Sequence, residues 1–280
     1  MKPGDRPSIW ESRVLDPTAV LLTDRITVVT GAAKGIGEAT ALAFARFGAH
    51  VAICDRDAEG LASTAAAIHE LGREAHTGVL DVRDEPSFAE FLRSTAHRFG
   101  KIDVLVNNAG GGFWSPFLDV SAKGENALIR ENFGSVTIGI RHVVPLMRDG
   151  GSIINVTSVE AHRAGPGFAI YSAMKAAVAN LTASLSMELA SRHIRVNCIA
   201  PDMVPTPGDE GLGEDLGALG QPDVELTSWP ENGSPHDCAA AAVFLASDLS
   251  RFVTGSTIHV DGGTFAAHGW KVRKAGGFTL

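Results

Sequence analysis

The sequence predicts an α/β protein, a doubly wound parallel sheet with helices on both faces. Short β-branched, apolar runs recur along the chain, and alanine-rich segments of helical length separate them. This alternation of strand and helix is typical of right-handed crossovers between parallel strands. The runs are apolar throughout instead of alternating with polar residues, which indicates strands buried on both faces.

The elements follow one another in a regular order along the chain. The predicted strands lie at 26–30, 50–55, 75–82, 103–110, 152–158, 194–201 and 256–263. The helices predicted between them occupy 36–48, 57–71, 84–99, 121–148, 169–192 and 236–247. A single domain at 25–263 accounts for all of these elements.

Three segments do not follow this order. Residues 1–24 contain three prolines and have no clear period, so we expect an arm ahead of the domain. Residues 202–235 are rich in Gly, Pro and acidic side chains and follow a strand end, where open α/β sheets bind ligands. We expect a substrate loop there, inserted in the domain, and a C-terminal tail at 264–280.

The charge balance limits the partners. Lys and Arg number 24 and Asp and Glu number 32 in 280 residues, which gives a formal net charge of −8. A nucleic-acid binder needs a basic face, and an anionic membrane surface attracts basic segments. We therefore expect neither nucleic acid nor a membrane as a partner.

The cysteines and the N-terminus favour a cytoplasmic protein. Cys54, Cys198 and Cys238 lie far apart and form no C-x-x-C pair, so neither a disulfide framework nor a zinc site is indicated. The N-terminal residues carry charges and lack the apolar core of a signal peptide. No run approaches the roughly 18 apolar residues of a spanning helix. The ten histidines form no metal-binding motif, so no metal is predicted.

A glycine cluster follows the first predicted strand. The stretch "VVTGAAKGIGEAT" places Gly31, Gly35 and Gly37 between a strand and a helix, with Lys34 and Ile36 among them. A turn without Cβ atoms allows the backbone to approach a pyrophosphate, and the helix N-terminus supplies N–H donors. The alternative interpretation is a plain glycine-rich turn, since such clusters are not specific by themselves.

Acidic residues end the second and third strands. Asp55 lies 20 residues beyond Gly35, where a carboxylate can bind the adenosine ribose hydroxyls and repel the 2′-phosphate of NADP. Lys34 and Arg56 act in the opposite sense, because either cation can pair with that phosphate. We expect the carboxylate to dominate and predict NAD over NADP. Asp81, followed by Val82, either accepts from the adenine amino group or caps the next turn.

Tyr171 is the only tyrosine in the chain, and Lys175 follows it by four residues. Residues i and i+4 share a helix face, so the ammonium can stabilise the phenolate and lower its pKa from about 10. Such a phenol can act as a general acid or base on an alcohol or ketone. An exposed Tyr-x-x-x-Lys pair without function is the alternative. Ser158, thirteen residues earlier at the end of a predicted strand, favours the functional interpretation because it meets the helix start at the same sheet edge.

These residues carry a family resemblance. The chain resembles the short-chain dehydrogenase/reductase family, whose fold is a single Rossmann domain with about seven parallel strands. The matching elements span residues 24 to 263 in the family's order: "TGAAKGIG", Asp55, "NNAG", Asn132, Ser158, "YSAMK", "IRVNCIAP" and "TGSTIHVDGG".

The resemblance implies roles for these residues. Tyr171 is the proton donor or acceptor, Lys175 lowers its pKa and holds the nicotinamide ribose, and Ser158 positions the substrate oxygen. Asn132 holds a water that links Lys175 to solvent. The predicted cofactor-binding residues are Gly31, Lys34, Gly35, Ile36, Gly37, Asp55, Arg56, Asp81, Val82, Asn108, Ala109, Gly110, Tyr171, Lys175, Pro201, Val204 and Thr206, of which Val204 and Thr206 hold the carboxamide.

One position departs from the family pattern. The family usually has Pro-Gly where this chain has Pro201 and Asp202, which places a carboxylate near the nicotinamide end of the cofactor. The path of the following loop is therefore open, and a local cap for a short helix is the alternative account of Asp202.

The predicted function is hydride transfer between NAD(H) and a neutral, apolar secondary alcohol or ketone. The apolar stretch "GGGFWSPFL" at 110–118 and the segment around Trp229 line either the substrate pocket or an ordinary core or interface. The alternatives are an NADPH-dependent 3-oxoacyl-thioester reductase and a non-catalytic dinucleotide sensor or scaffold. Small apolar residues on more than one face of the helices at 121–148 and 169–192 predict a homotetramer, with a homodimer as the alternative.

Overall fold

A computed structural model describes residues 15–148, 150–207 and 228–279. Most of the predicted N-terminal arm and the middle of the predicted substrate loop lie outside the described residues. Within the described residues, seven strands form one parallel sheet in the order β3-β2-β1-β4-β5-β6-β7. They are β1 Ile26–Thr30, β2 His50–Asp55, β3 Ala75–Val79, β4 Val104–Asn107, β5 Gly151–Val156, β6 Ile194–Pro201 and β7 Thr257–Val260.

The order in which strands are added to the sheet has a switch point beside β1. The chain moves from β1 outward to β3, returns to β4 on the other side of β1, and then continues to β7. Such a switch point opens a crevice at the carboxyl ends of the strands, where doubly wound folds bind ligands. The predicted single Rossmann-type domain with about seven parallel strands is confirmed.

Helices cover both faces of the sheet. They are α1 Gly35–Arg46, α2 Ala58–Glu70, α3 Glu85–Phe99, α4 Ala122–Ile129, α5 Ser135–Val143, α6 Ala169–Glu188 and α7 Pro235–Ala246. Side chains cap several helix starts: Asp57 accepts from the first turn of α2, Ser121 caps α4, and Ser234 forms a capping box with Asp237 at α7.

The core consists of two apolar layers, one on each face of the sheet. Val29, Ile53 and Ile154 pack towards α1, α2 and α7, whereas Val28 and Leu105 point the other way, towards α3, α5 and α6. Successive residues of a strand point to opposite faces. The continuous apolar runs of the sequence are thus explained by burial on both sides.

The predicted helix at 121–148 is interrupted. A π-helical turn at Arg130–Gly134 separates α4 from α5, and a 3₁₀ turn at Val144–Leu146 ends the segment. The side-chain amide of Asn132 donates to Leu128 O at 3.1 Å and to Gly111 O at 2.8 Å. A side chain that competes for a helix carbonyl, and a long-range partner outside the helix, favour such a bulge.

The ends of the described chain lie against or beyond this domain. Pro17–Val20 forms a 3₁₀ turn, and Leu22 is fully buried in the layer of α1. After β7 come a short helix, α8 Thr264–Ala267, and a two-stranded hairpin, β8 Lys271–Val272 with β9 Phe278–Thr279. No helix in the described part of the chain is long and apolar enough to cross a bilayer.

Candidate active site

The turn after β1 is shaped for close approach of another molecule to its backbone. Gly31 and Gly35 have φ of +67° and +64°, a region that glycine adopts without strain. A Cβ on Gly37 would overlap the carbonyl oxygen of Gly31. Lys34 precedes α1 in extended conformation, and Gly35 and Ile36 begin the helix. The backbone N–H groups of the first turn are thus presented at the sheet edge, as a pyrophosphate requires.

Asn108 and Thr30 hold this turn against the end of β4. The amide of Asn108 donates to Thr30 O and Gly31 O at 3.0 and 3.1 Å. The backbone N–H groups of Asn108 and Ala109 both donate to Thr30 Oγ1 at 3.0 Å. Sequence reasoning missed Thr30, although a threonine directly before a glycine turn is a signal for such a contact.

The Asp55 carboxylate lies beside the glycine turn. Its Oδ2 accepts from Ala33 N at 3.0 Å, and its Oδ1 accepts from Arg56 N and Asp57 N at 2.7 and 3.1 Å. The backbone thus fixes the carboxylate at the carboxyl end of β2. Each oxygen keeps lone pairs for further donors such as ribose hydroxyls.

Two arginines near this end of the site are paired with acids. Arg56 Nη2 lies 3.7 Å from Glu131 Oε1, on the π turn. Asp81 accepts from Arg83 Nη2 at 2.6 Å and from Arg83 N at 2.9 Å, and the hydrogen bonds from the Arg83 side chain lower the pKa of Asp81. The turn-capping interpretation of Asp81 thus has direct contacts, and its role towards adenine stays a proposal. Val82, next in sequence, is buried.

Lys175 is buried beneath Tyr171. Its side chain is on the inner face of α6, and the residue is 5% exposed. Nζ donates to Val156 O at 3.0 Å and lies 5.4 Å from the centre of the Tyr171 ring. Burial lowers the pKa of Lys175 to about 8. The predicted i, i+4 pair therefore faces one site, at the carboxyl end of β5.

Two glycines allow the neighbouring groups to approach this pair. A Cβ on Gly110 would lie 2.9 Å from Asn132 Oδ1 and 3.2 Å from Lys175 Nζ. A Cβ on Gly112 would lie 3.1 Å from the Tyr171 ring. Asn132 is itself buried and fixed to the backbone of Gly111. The structure thus brings Asn132, Tyr171 and Lys175 together around the 110–112 segment.

Ser158 lies at the start of a single 3₁₀ turn, Val159–Ala161, directly after β5. Its Oγ accepts from Glu160 N at 3.2 Å, which leaves the hydroxyl proton available to another acceptor. The Glu160 carboxylate reaches Ser172 Oγ at 3.5 Å, next to Tyr171 in the sequence. Sequence reasoning missed Glu160, and nothing in its local pattern distinguishes it from a surface acid.

The residues after β6 lie between the sheet edge and the phosphate turn. Pro201 ends β6, and Val204 is buried. Thr206 lies against the phosphate turn, since a Cβ on Gly35 would be 3.3 Å from its side chain. The Asp202 carboxylate accepts from the backbone N–H of the next residue, Met203, at 3.0 Å and pairs with Arg163 at 3.0 Å. Residues 208–227 of the predicted loop lie outside the described part of the chain.

Aromatic side chains surround the mouth of this site. Trp114 covers Gly167, where a Cβ would overlap the indole ring, and Ser115 N donates to Gly167 O at 2.9 Å. Phe113 and Phe168 line a small cavity together with Val120. Trp229 is 65% exposed, and its backbone N–H donates to Gly262 O, after β7. Phe113, Trp114 and Phe168 thus form an apolar rim beside the start of α6.

The cofactor predicted for this site matches the residues that are present. Gly31 and Gly37 of the phosphate turn have no room for a Cβ, and the buried ammonium of Lys175 lies next to Gly110. Asp55 would hold the adenosine ribose, the first turn of α1 the pyrophosphate, and Lys175 the nicotinamide ribose.

Comparison with known proteins agrees with this geometry. A family model described as enoyl-(acyl carrier protein) reductase matches residues 31–264. The chain belongs to the short-chain dehydrogenase/reductase family. It is an oxidoreductase of CH–OH or C=O groups that depends on a nicotinamide cofactor.

Three relatives illustrate the range within the family. A cis-4-hydroxycyclohexanecarboxylate dehydrogenase of Sinomonas cyclohexanicum is 39% identical over 86% of this chain and 96% of its own. A 3-oxoacyl-acyl-carrier-protein reductase of Thermotoga maritima is 37% identical over 86% of this chain and 98% of its own. The structure of a carveol dehydrogenase from Mycobacterium avium in complex with NAD has a TM-score of 0.82 and 28% identity, and the match covers 88% of this chain and 99% of that one.

Proposed function

We propose that the protein transfers a hydride between NAD(H) and a neutral, apolar secondary alcohol or ketone. The observation that carries the proposal is the buried Lys175 ammonium beside the only tyrosine of the chain. A cation that close favours the ionised phenol, so Tyr171 can exchange a proton with an oxygen near neutral pH.

Each residue of the site has a separate role towards the substrate oxygen. In the oxidative direction the Tyr171 phenolate removes the hydroxyl proton of the alcohol, and the Ser158 hydroxyl donates a hydrogen bond to the same oxygen. Lys175 compensates the charge on the phenolate. Asn132, which is bound to the backbone of Gly111, would hold the water that links Lys175 to solvent. The bound nicotinamide would supply the hydride acceptor.

The preference for NAD rests on charges at the adenosine end. Asp55 is fixed at the carboxyl end of β2 by three backbone donors. Arg56 has an acidic neighbour in Glu131, and Arg83 is held by Asp81. A 2′-phosphate would meet the Asp55 carboxylate, which opposes the attraction of Lys34, while Arg56 and Arg83 already have acidic partners. The NAD complex of the Mycobacterium avium relative supports this choice.

The apolar rim beside the start of α6 favours a neutral, apolar substrate. Phe113, Trp114 and Phe168 offer apolar surface beside Tyr171. Glu160 and Asp202 outnumber Arg163 at the adjacent loop, so an anionic substrate would meet a net negative charge. A 3-oxoacyl-thioester reductase activity is the second candidate, because of the 37% identity to the Thermotoga maritima enzyme.

A substrate screen tests the proposal. Purified protein is mixed with NAD and a panel of cyclic and linear secondary alcohols, with NADH and ketones, and with NADPH and a 3-oxoacyl thioester, while absorbance of the reduced cofactor is followed. We expect turnover with NAD and the apolar alcohols, and NAD binding at least about tenfold tighter than NADP, about 1.4 kcal/mol. Preference for NADPH and the thioester would support the second candidate instead.

Tyr171→Phe is the matched variant for that screen, because it keeps the ring and removes only the hydroxyl. Turnover should fall by about 10²- to 10⁴-fold with little change in NAD affinity. Wild-type oxidation should rise with pH as the phenol ionises, and the variant should lose that rise. A variant with more than about a tenth of wild-type turnover contradicts the mechanism. NAD binding without turnover on any substrate would indicate a dinucleotide sensor or scaffold.

A further inference from the structure

The Asp202 side chain joins the ends of β6 and β7 to the loop after β5. Oδ2 pairs with Arg163 Nη2 at 3.0 Å and accepts from Thr264 Oγ1 at 2.6 Å. The backbone N–H of Asp202 donates to Val260 O at 3.1 Å. The carboxylate is 16% exposed. The Asp202 carboxylate is therefore held in place at the edge of the sheet and is not a solvated loop acid.

Arg163, the partner of Asp202, also binds the Glu160 carboxylate. Its Nη2 and Nε donate to Glu160 Oε1 at 3.1 and 3.3 Å. Burial raises the pKa of Glu160, and the guanidinium of Arg163 opposes that shift. The guanidinium lies between two carboxylates, so it compensates a half-buried acid that would otherwise be costly to keep ionised.

Glu160 in turn contacts both functional elements of the site. Its backbone N–H donates to Ser158 Oγ at 3.2 Å, and its carboxylate lies 3.5 Å from Ser172 Oγ on the first turn of α6. The turn between them has three residues, Val159–Ala161. A turn so short has few backbone hydrogen bonds, so its orientation depends on the side chains that tie it down.

We propose that Asp202 and Arg163 are positioning residues for the Ser158 hydroxyl. The ion pair fixes Glu160, and the N–H of Glu160 sets the direction of Ser158 Oγ towards the substrate oxygen. The inference rests on the proposed function, because it requires Ser158 to act on the substrate.

Four variants test the pair. Asp202→Asn keeps the shape and removes the charge, Arg163→Gln removes the partner, and the double variant removes both. Asp248→Asn is the control, since it breaks an ion pair with Arg25 at 2.6 Å in another part of the fold. We expect kcat to fall about tenfold in each single variant, about 1.4 kcal/mol, and no further in the double variant. NAD affinity should stay within about twofold, and Asp248→Asn should keep wild-type kcat.

The Ser158→Ala background shows where the pair acts. There, Asp202→Asn should change the residual turnover by less than about twofold, because the group that it positions is gone. An equal loss in both backgrounds would overturn the inference. A lower melting temperature with unchanged kcat would also overturn it, since that result describes a structural tie alone. If Asp202→Asn fails to fold, Arg163→Gln carries the same measurements.

The two proposals fail in different ways. Wild-type turnover in Ser158→Ala and Tyr171→Phe would contradict the proposed function itself. A large loss in Ser158→Ala together with wild-type turnover in Asp202→Asn and Arg163→Gln would contradict only the positioning role.

Discussion

Replacing Lys175 by methionine should remove turnover without reducing the stability of the cofactor-free protein at pH 7. The residue is 5% exposed, and burial lowers its pKa from 10.5 to about 8. Below pH 8 the lysine is charged in both the folded and the unfolded chain, so folding must bury that charge. Methionine fills a similar volume with a flexible apolar side chain.

The magnitude follows from the two pKa values. At about 1.4 kcal/mol per pKa unit, the shift corresponds to about 3 kcal/mol of unfolding free energy. Between pH 8 and 10.5 the unfolded chain binds more protons at this site than the folded one, so wild-type stability gains this contribution as the pH rises. Methionine leaves Val156 O without its hydrogen-bond donor, which costs about 1–3 kcal/mol. At pH 7 this cost offsets part of the stability that the variant gains because it no longer buries a charge.

Urea unfolding of the cofactor-free wild type and Lys175→Met from pH 7 to 10.5 measures this effect. The difference between the two proteins cancels groups that titrate in both, and it should move by about 3 kcal/mol in favour of the wild type as the pH rises. Lys101→Met is the control, because that side chain is 42% exposed and pairs with Asp103. A difference between wild type and Lys175→Met that does not vary with pH would refute the burial of an ammonium at this position.

Three further outcomes are expected. Gly37→Ala should destabilise the fold by about 1–3 kcal/mol and weaken NAD binding, whereas Gly134→Ala, with room for a Cβ, should not; calorimetry and NAD titration compare them. Glu131→Gln should release Arg56 and narrow the preference for NAD over NADP severalfold; an unchanged ratio of dissociation constants would show that the 3.7 Å pair has no part in specificity. Light scattering should return a homotetramer, and a 29.3 kDa particle at micromolar concentration would contradict that assembly.

The fold was predictable because its signals are local and repeated. Each parallel strand is buried on both faces, so its apolar run stands out, and the glycine cluster marks the start of the first helix. The helix at 121–148 was the exception. Its interruption depends on the contact of Asn132 with Gly111, 21 residues away, and no local pattern reports that contact.

The site was predictable where one residue type must carry the chemistry. Tyr171 and Lys175 are four residues apart, and helical geometry alone brings them to one face. The contacts of Asp202 were not predictable, because Arg163 and Thr264 meet it only when the ends of three strands come together. The same holds for Thr206, whose position against Gly35 depends on the path of a loop.

The π turn at Arg130–Gly134 sets the rotational phase of two helices. A π turn contains one residue more than the α-helical path it replaces, and each residue of an α-helix turns the chain by about 100°. Leu128 before the turn and Val136 after it are both buried. Deleting a single residue within the turn would restore a continuous helix, but it would rotate α4 by about a quarter of a circle. Leu128 would then leave the core, so the segment cannot lose the extra residue without repacking α4.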